Sequence, residues 1–155
     1  MPSFHLVQLN IARMLAPLDD PIMAGFVARL DEINALADGS PGFVWRFQTA
    51  EGNATAVRPY DDERILFNLS VWETLDDLRQ YVYRSAHSQL IGRRKDWFSK
   101  FDMAYMALWW VPAGHIPTVD EAKQSLEHLR EHGETQEAFS FKKTFPAPEA
   151  EGSRQ

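Results

Sequence analysis

Residues 65–78 read ILFNLSVWETLDDL, and this stretch decides the fold. Every second residue of 65–72 is apolar, whereas Asn68 and Ser70 fall on the alternate positions, and a period of two predicts a β-strand. Thr74 and Asp77 then form a capping box, after which leucines recur at helical spacing. The sequence therefore predicts a strand with one apolar and one mixed face, followed directly by a helix.

The same two periods recur on both sides of this segment. Asp20 is placed to cap a helix that ends before Gly39, and Thr118 with Glu121 begins a later helix that ends at Gly133. A further helical pattern follows a bend near residue 85 and includes Phe98 and Phe101. Alternation predicts strands at 4–12, 43–48 and 105–111, with a short edge strand at 139–141 and a loop at 49–63.

This order is the βαββαβ pattern of an α+β, ferredoxin-like sandwich with an extra C-terminal helix. The helices are expected on the apolar face of the sheet, which leaves the mixed face to be covered by something else. A second copy of the sheet would enclose a partly wet chamber there, so we expect a homodimer that forms a dimeric α/β barrel. Residues 1–145 are expected to form one domain and residues 146–155 a disordered tail.

Composition excludes several classes of function. The 155 residues include 16 lysines and arginines against 22 acidic residues, and no cysteine. Thiolate catalysis, disulfides and cysteine-ligated metal sites are therefore excluded. The net charge of −6 argues against nucleic acid as a partner, because phosphate binding needs a basic face. With no apolar run long enough for a membrane segment and no signal peptide, we expect a soluble, cytoplasmic protein.

The mixed face supplies the first candidate site. Its polar side chains and two tryptophans suit a small ligand with an oxygen atom to be oriented, and the predicted ligand-binding residues are Gln8, Asn10, Arg46, Asn68, Ser70, Trp72 and Trp109. The alternative is a hydrated dimer interface. If the strand at 43–48 is shifted by one residue, aromatic side chains replace Arg46 on this face.

A second candidate group lies on the helical pattern after residue 85. His87 and Arg94 are seven residues apart and so share a helix face, with Trp97 close behind. An imidazole can take up a proton or ligate iron, and a guanidinium can bind a carboxylate. The structural alternative is that His87 caps the bend while Arg94 pairs with a nearby carboxylate.

Other motifs are weaker. His115 lies just before a helix start, where a turn role is favoured over anion binding. His128 and His132 have the spacing of metal ligands, but a third ligand is lacking, so no metal site is predicted. Neither a phosphate-binding glycine loop nor the GxSxG signature of a serine hydrolase is present.

Two groups of residues resemble known families. The first resembles the antibiotic biosynthesis monooxygenase group of dimeric α/β-barrel proteins and comprises Trp72-Glu73-Thr74-Leu75-Asp76-Asp77-Leu78, Tyr81, Tyr83, Ser85 and His87. The second is more specific and resembles the family called domain of unknown function 3291 over about residues 3–145. It comprises His87, Arg93-Arg94, Trp97-Phe98, Leu108-Trp109-Trp110-Val111-Pro112-Ala113-Gly114-His115, Pro117-Thr118 and Ala138-Phe139-Ser140-Phe141.

The resemblance implies the barrel and the dimer, and it leaves three functional hypotheses. Several monooxygenase relatives use neither metal nor flavin, which implies a cofactor-independent enzyme acting on an aromatic or carbonyl compound. If the chain is such an enzyme, the residues themselves suggest the roles: Asn68, with Gln8 and Asn10, would hold a substrate oxygen, Trp72 would stack on the substrate, and His87 would take up or return a proton, so Asn68 and His87 are the predicted catalytic residues. Other members of the superfamily bind haem through a histidine, which implies His87 as axial ligand and Arg94 at a propionate. The third hypothesis is a non-catalytic ligand sensor or dimerisation module.

Overall fold

A computed structural model describes residues 4–16, 20–47, 65–84, 98–99 and 105–148. Its helices and strands, in chain order, are β1 (Phe4–Met14), a 3₁₀ turn (Pro21–Met23), α1 (Ala24–Asp38), β2 (Phe43–Arg46), β3 (Ile65–Trp72), α2 (Leu75–Arg84), β4 (Phe98–Ser99), β5 (Met106–Pro112) and α3 (Val119–His132). The predicted order βαββαβ with an extra C-terminal helix is confirmed. The predicted loop at 49–63 lies outside the described residues.

The described strands form one antiparallel sheet with β1 at its centre. β1 pairs with β3 on one side and with β5 on the other, and β2 pairs with the far edge of β3. The order β2-β3-β1-β5 is that of a ferredoxin-like sheet. The register places Gln8 opposite Ser70 and Asn10 opposite Asn68, so the polar residues of the two central strands lie side by side on one face.

Each face of this sheet carries a helix of the same chain. On the apolar face, Val7, Leu9 and Trp109 belong to a core cluster with Leu126 of α3. On the mixed face, Leu6 and Trp72 cluster with Leu78 of α2. The expectation that the mixed face turns away from the helices is therefore wrong, since α2 covers the mixed face and α3 covers the apolar face. The homodimer, which was inferred from an uncovered mixed face, stays a prediction.

The three predicted capping side chains form hydrogen bonds with backbone amides, Asp20 at the start of the 3₁₀ turn and Thr74 and Thr118 at the starts of α2 and α3. The Asp20 carboxylate accepts a hydrogen bond from the Ile22 amide, and the Thr74 and Thr118 hydroxyls accept from amides three residues ahead. α3 ends at Gly133, whose φ of 74° is a left-handed conformation that favours glycine. The Asp20, Thr74 and Thr118 side chains therefore satisfy backbone amides that the start of a helix leaves without a partner.

Two local expectations are wrong. Phe98 and Ser99 do not continue a helix but pair with Met14 and Arg13 as a two-residue strand, because the long strand β1 extends beyond β5 and offers hydrogen-bonding groups there. The residues just before them, 85–97, lie outside the described residues. The helix predicted to begin after Asp20 instead starts with the 3₁₀ turn Pro21–Met23, and α1 itself begins at Ala24.

The segment after α3 returns to the sheet. Phe139 and Leu108 exchange backbone hydrogen bonds of 2.7 and 2.9 Å, so the edge strand predicted at 139–141 is reduced to a single bridge at Phe139. The Trp110 indole donates to the Phe145 carbonyl. The division into a domain at 1–145 and a tail at 146–155 stays a prediction. None of the described helices has both the length and the apolar character needed to span a bilayer.

Candidate ligand-binding site

Five polar side chains of β1 and β3 form one hydrogen-bonded chain on the mixed face, which we call the polar row. The Trp72 indole Nε1 donates to Ser70 Oγ (2.9 Å), and Ser70 Oγ donates to Gln8 Oε1 (3.0 Å). Gln8 Nε2 donates to Asn10 Oδ1 (2.9 Å), which also accepts from Asn68 Nδ2 (3.0 Å). Cross-strand pairing thus joins residues that are far apart in sequence into a continuous network.

The polar row runs from the core to the surface. Ser70 and Gln8 are 7% and 9% exposed, Asn10 is half-buried and Asn68 is exposed. Met106 of β5 pairs with Asn10 and so places a half-buried apolar side chain on the same face. Because the buried members satisfy one another, the network is rigid at its inner end and presents polar groups at its outer end.

Trp72 anchors the inner end of the row. Its side chain is 1% exposed and is enclosed by Tyr81 of α2, with ring centroids 5.1 Å apart, and by the edge of Phe43, at 5.5 Å. Burial raises the pKa of Tyr81, and the opposing effect of the nearby Arg46 charge is smaller. The Trp72 ring is therefore not open for a ligand to stack on, contrary to the sequence-based expectation.

Arg46 reaches the mixed face because β2 contains an irregularity. The register shifts between Phe43 and Trp45, which places both Phe43 and Arg46 on the mixed face, opposite Trp72 and Ser70 respectively. The Arg46 guanidinium binds the Asp38 carboxylate through Nε (2.8 Å) and Nη2 (3.3 Å). The predicted face of Arg46 is thus correct, but its charge is compensated by Asp38 at the end of α1.

Trp109 does not share a site with the polar row. It pairs with Val7, packs in the apolar cluster beneath α3, and donates from Nε1 to Glu121 Oε2 (3.0 Å). Its neighbour Trp110 lies on the face of Leu6 and Leu108 instead. The assignment of Trp109 to the same ligand site is therefore wrong, because successive strand residues point to opposite faces.

Trp109 instead borders a cleft of about 480 Å³ at the start of α3. His115 Nε2 lies 2.8 Å from Glu121 Oε1 in this cleft, so the carboxylate is bound by both an indole and an imidazole. Burial raises the pKa of Glu121, but the hydrogen bonds and charge of His115 and the bond from Trp109 outweigh it, and the net shift is downward. The carboxylate is thus held in its ionised form.

The two histidines of α3 have partners of their own. The His128 and His132 rings are in contact with their planes tilted by 44° and their centroids 4.6 Å apart. His128 Nε2 lies 3.1 Å from the Thr135 hydroxyl and 3.6 Å from the Glu137 carboxylate. Within the described part of the chain, no cluster of three or more histidine or acidic side chains could hold a metal ion.

The second candidate group cannot be located. His87, Arg94 and Trp97 all lie outside the described residues, so both the catalytic role of His87 and the haem hypothesis stay predictions.

Sequence reasoning missed three residues that shape the two sites. Tyr81 follows Leu78 at helical spacing and could have been assigned to the buried side of α2, but nothing indicated that it would lie on Trp72. The partners of Asp38 and Glu121 could not be predicted from sequence, because the contacts with Arg46 and Trp109 form only in the folded chain.

The fold and the polar row together define an α+β protein of ferredoxin-like topology with a small polar site on its sheet. The chain belongs to the family described as Domain of unknown function (DUF3291), whose model matches residues 5–155. This confirms the resemblance that was recognised in the sequence.

Solved structures resemble this chain with TM-scores below 0.5. SnoaB from Streptomyces nogalater, a cofactor-independent oxygenase, superposes with a TM-score of 0.47 at 14% identity, over 72% of this chain and 95% of its own. A protein of unknown function from Nitrosomonas europaea superposes with a TM-score of 0.48 at 11% identity, over 76% of this chain and 99% of its own. No curated protein matches the sequence.

Proposed function

We propose that this chain binds a small aromatic or carbonyl-bearing molecule at the outer end of the polar row and oxidises it in a monooxygenase-type reaction without a cofactor. The observation that carries the binding step is the hydrogen-bonded chain from buried Trp72 to exposed Asn68. A rigid sheet that ends in orienting amide groups beside an apolar side chain has the composition of a small-ligand site.

Asn68 and Asn10 are proposed to contact the substrate, while Gln8 and Ser70 hold them in place. The oxidation step is supported by the resemblance of residues 72–87 to the monooxygenase group. In a reaction of that type, O₂ places one oxygen atom in the substrate and the other leaves as water, so without a cofactor the substrate itself supplies the electrons. The substrate loses two hydrogen atoms from the carbon that gains oxygen, and both end in the water. His87 is proposed to carry one of them, as a proton, from the substrate to the oxygen atom that leaves.

The first experiment identifies the ligand. Native mass spectrometry of freshly purified protein reports any co-purified molecule together with the number of chains in the assembly. A panel of hydroxyaryl and carbonyl compounds is then screened by thermal denaturation, because a ligand that binds the folded state alone raises the melting temperature.

The decisive comparison uses two variants. Asn68→Leu should abolish the stabilisation by a ligand, whereas Glu127→Gln, at an exposed position on α3, should leave it unchanged. Stabilisation that persists in Asn68→Leu would contradict the proposed site.

Catalysis is tested separately by oxygen consumption with each compound that binds. His87→Ala should lower turnover by about two orders of magnitude or more if His87 transfers the proton. Ligand stabilisation without oxygen uptake or product in the wild-type protein would refute the oxidation step and favour a ligand sensor.

A further inference from the structure

The donor and acceptor directions along the polar row follow from its buried end. The Trp72 indole N–H can only donate, so Ser70 Oγ, 2.9 Å away, must accept from it. Ser70 is buried, and its hydroxyl proton needs an acceptor of its own. Gln8 Oε1 lies 3.0 Å from Ser70 Oγ and provides it, which turns the Gln8 amide nitrogen toward Asn10.

The same reasoning continues outward through the two asparagines. Because Gln8 presents its amide nitrogen, Asn10 must present Oδ1 at 2.9 Å. Asn68 then meets this same oxygen and must donate from Nδ2 at 3.0 Å. One indole N–H thus determines the orientation of three side-chain amides, although amide oxygen and nitrogen atoms are otherwise interchangeable in shape.

The outcome is a free acceptor at the surface. Asn68 is exposed, and within the described residues its Oδ1 has no hydrogen-bond partner. A neutral hydroxyl group can donate a hydrogen bond to this oxygen. A phenolate or carbonyl oxygen cannot, because it carries no proton and would be repelled by the Asn68 oxygen.

We infer that the ligand is an aromatic alcohol that donates its hydroxyl proton to Asn68 Oδ1, and that Ser70 and Gln8 are positioning residues that keep this oxygen outward. The inference rests on the proposed function and narrows its substrate class. Met106, next to Asn10 on the same face, supplies apolar surface beside the hydroxyl site.

The test compares two probes, 1-naphthol and 1-methoxynaphthalene, which differ in whether the oxygen carries a proton. Their dissociation constants are measured by isothermal titration calorimetry on the full chain. One neutral hydrogen bond is worth on the order of 1 kcal/mol, so 1-naphthol should bind about fivefold more tightly than its ether. Asn68→Leu should remove this preference.

The positioning role is tested at Ser70. Ser70→Ala deletes the relay between Trp72 and Gln8, so the amides can reverse and the preference for 1-naphthol should fall to about onefold, while affinity for the ether stays the same. Ser70→Thr keeps the hydroxyl and should restore the preference. Purely structural damage would weaken both probes equally, and a preference that survives in Ser70→Ala would overturn the role of Ser70.

Failure of the proposed function and failure of the inference about the hydroxyl group give different binding results. If neither probe binds the wild-type protein, the proposed function fails and the inference fails with it. If both probes bind with equal affinity and Asn68→Leu weakens both, the site stands and the inference alone is overturned.

Discussion

Gly42, in the turn before β2, packs against α2, the helix that covers the mixed face, and Gly42→Ala tests how closely the two are packed. Gly42 has a φ of 78°, and its carbonyl accepts a hydrogen bond of 2.7 Å from the Glu73 amide. A Cβ added at Gly42 would overlap the side chain of Asp77 in α2. The substitution therefore imposes both an unfavourable backbone conformation and a steric clash.

The two costs can be estimated separately. A left-handed conformation costs a residue with a Cβ about 1 kcal/mol, and overpacking adds roughly 2 kcal/mol. For a chain of 155 residues, each kcal/mol corresponds to about 3 °C in melting temperature, so Gly42→Ala should melt roughly 9 °C lower. Gly114→Ala is the matched control, because Gly114 lies in a tight turn with a φ of 93° and nothing within 4 Å of an added Cβ, and should cost only about 3 °C.

Both variants are measured by urea denaturation and by thermal unfolding followed by circular dichroism. An equal loss of stability in the two variants would refute the steric argument. A double-mutant cycle with Asp77→Gly provides a second check, since removing the Asp77 side chain should recover about 2 kcal/mol of the cost of Gly42→Ala. A coupling energy near zero would show that Gly42 and Asp77 do not constrain each other.

Three further outcomes are expected. Leu126→Ala should lower the free energy of unfolding, measured in urea, by about 2–5 kcal/mol, because Leu126 is buried between α3 and the sheet. The control Glu127→Ala, at the exposed neighbouring position, should change it by less than about 0.5 kcal/mol, and similar losses in both variants would contradict the packing of α3. The pKa of Glu121 is lowered from 4.5 in the folded chain, so its ionised form stabilises the protein above that pH, and this stabilisation is lost as the pH falls through the folded value. Glu121→Gln should therefore melt below the wild type at pH 6 and approach it in acid, and a difference that does not depend on pH would contradict the assignment. Since burial raises the pKa of Tyr81, spectrophotometric titration should show one tyrosine that stays protonated near pH 11 and is absent in Tyr81→Phe; full ionisation in the wild type would place Tyr81 in solvent.

Local sequence patterns predicted the composition of the candidate site. Alternation placed Gln8, Asn10, Asn68 and Ser70 on the mixed faces of two strands, and the βαββαβ order made those strands neighbours. The register confirms both, with Gln8 opposite Ser70 and Asn10 opposite Asn68. These predictions succeeded because side-chain direction in a strand depends only on position along the chain.

Which helix covers which face could not be predicted in the same way. The leucines of α2 and α3 show that each helix has a buried side, but both Leu78 and Leu126 are compatible with either face of the sheet. The choice depends on the path that the chain takes between strand and helix. The sequence-based expectation of an uncovered mixed face failed for this reason.

The sheet face of individual aromatic residues was also decided by the tertiary structure. Trp109 and Trp110 are successive strand residues and so point to opposite faces, but only the pairing of β5 with β1 shows that Trp110, rather than Trp109, shares the face of the polar row. The irregularity in β2 places Phe43 on that same face, which strict alternation would not allow together with Arg46.

The sequence by itself determined the βαββαβ order with its C-terminal helix, the capping side chains and the set of polar side chains available on the mixed face. The tertiary structure decided that these side chains form one connected row, since Ser70 and Gln8 are 62 residues apart in the chain and meet only through strand pairing. Periodicity records how a residue is oriented within its own element, whereas contacts between elements depend on register and chain path, which no local pattern contains.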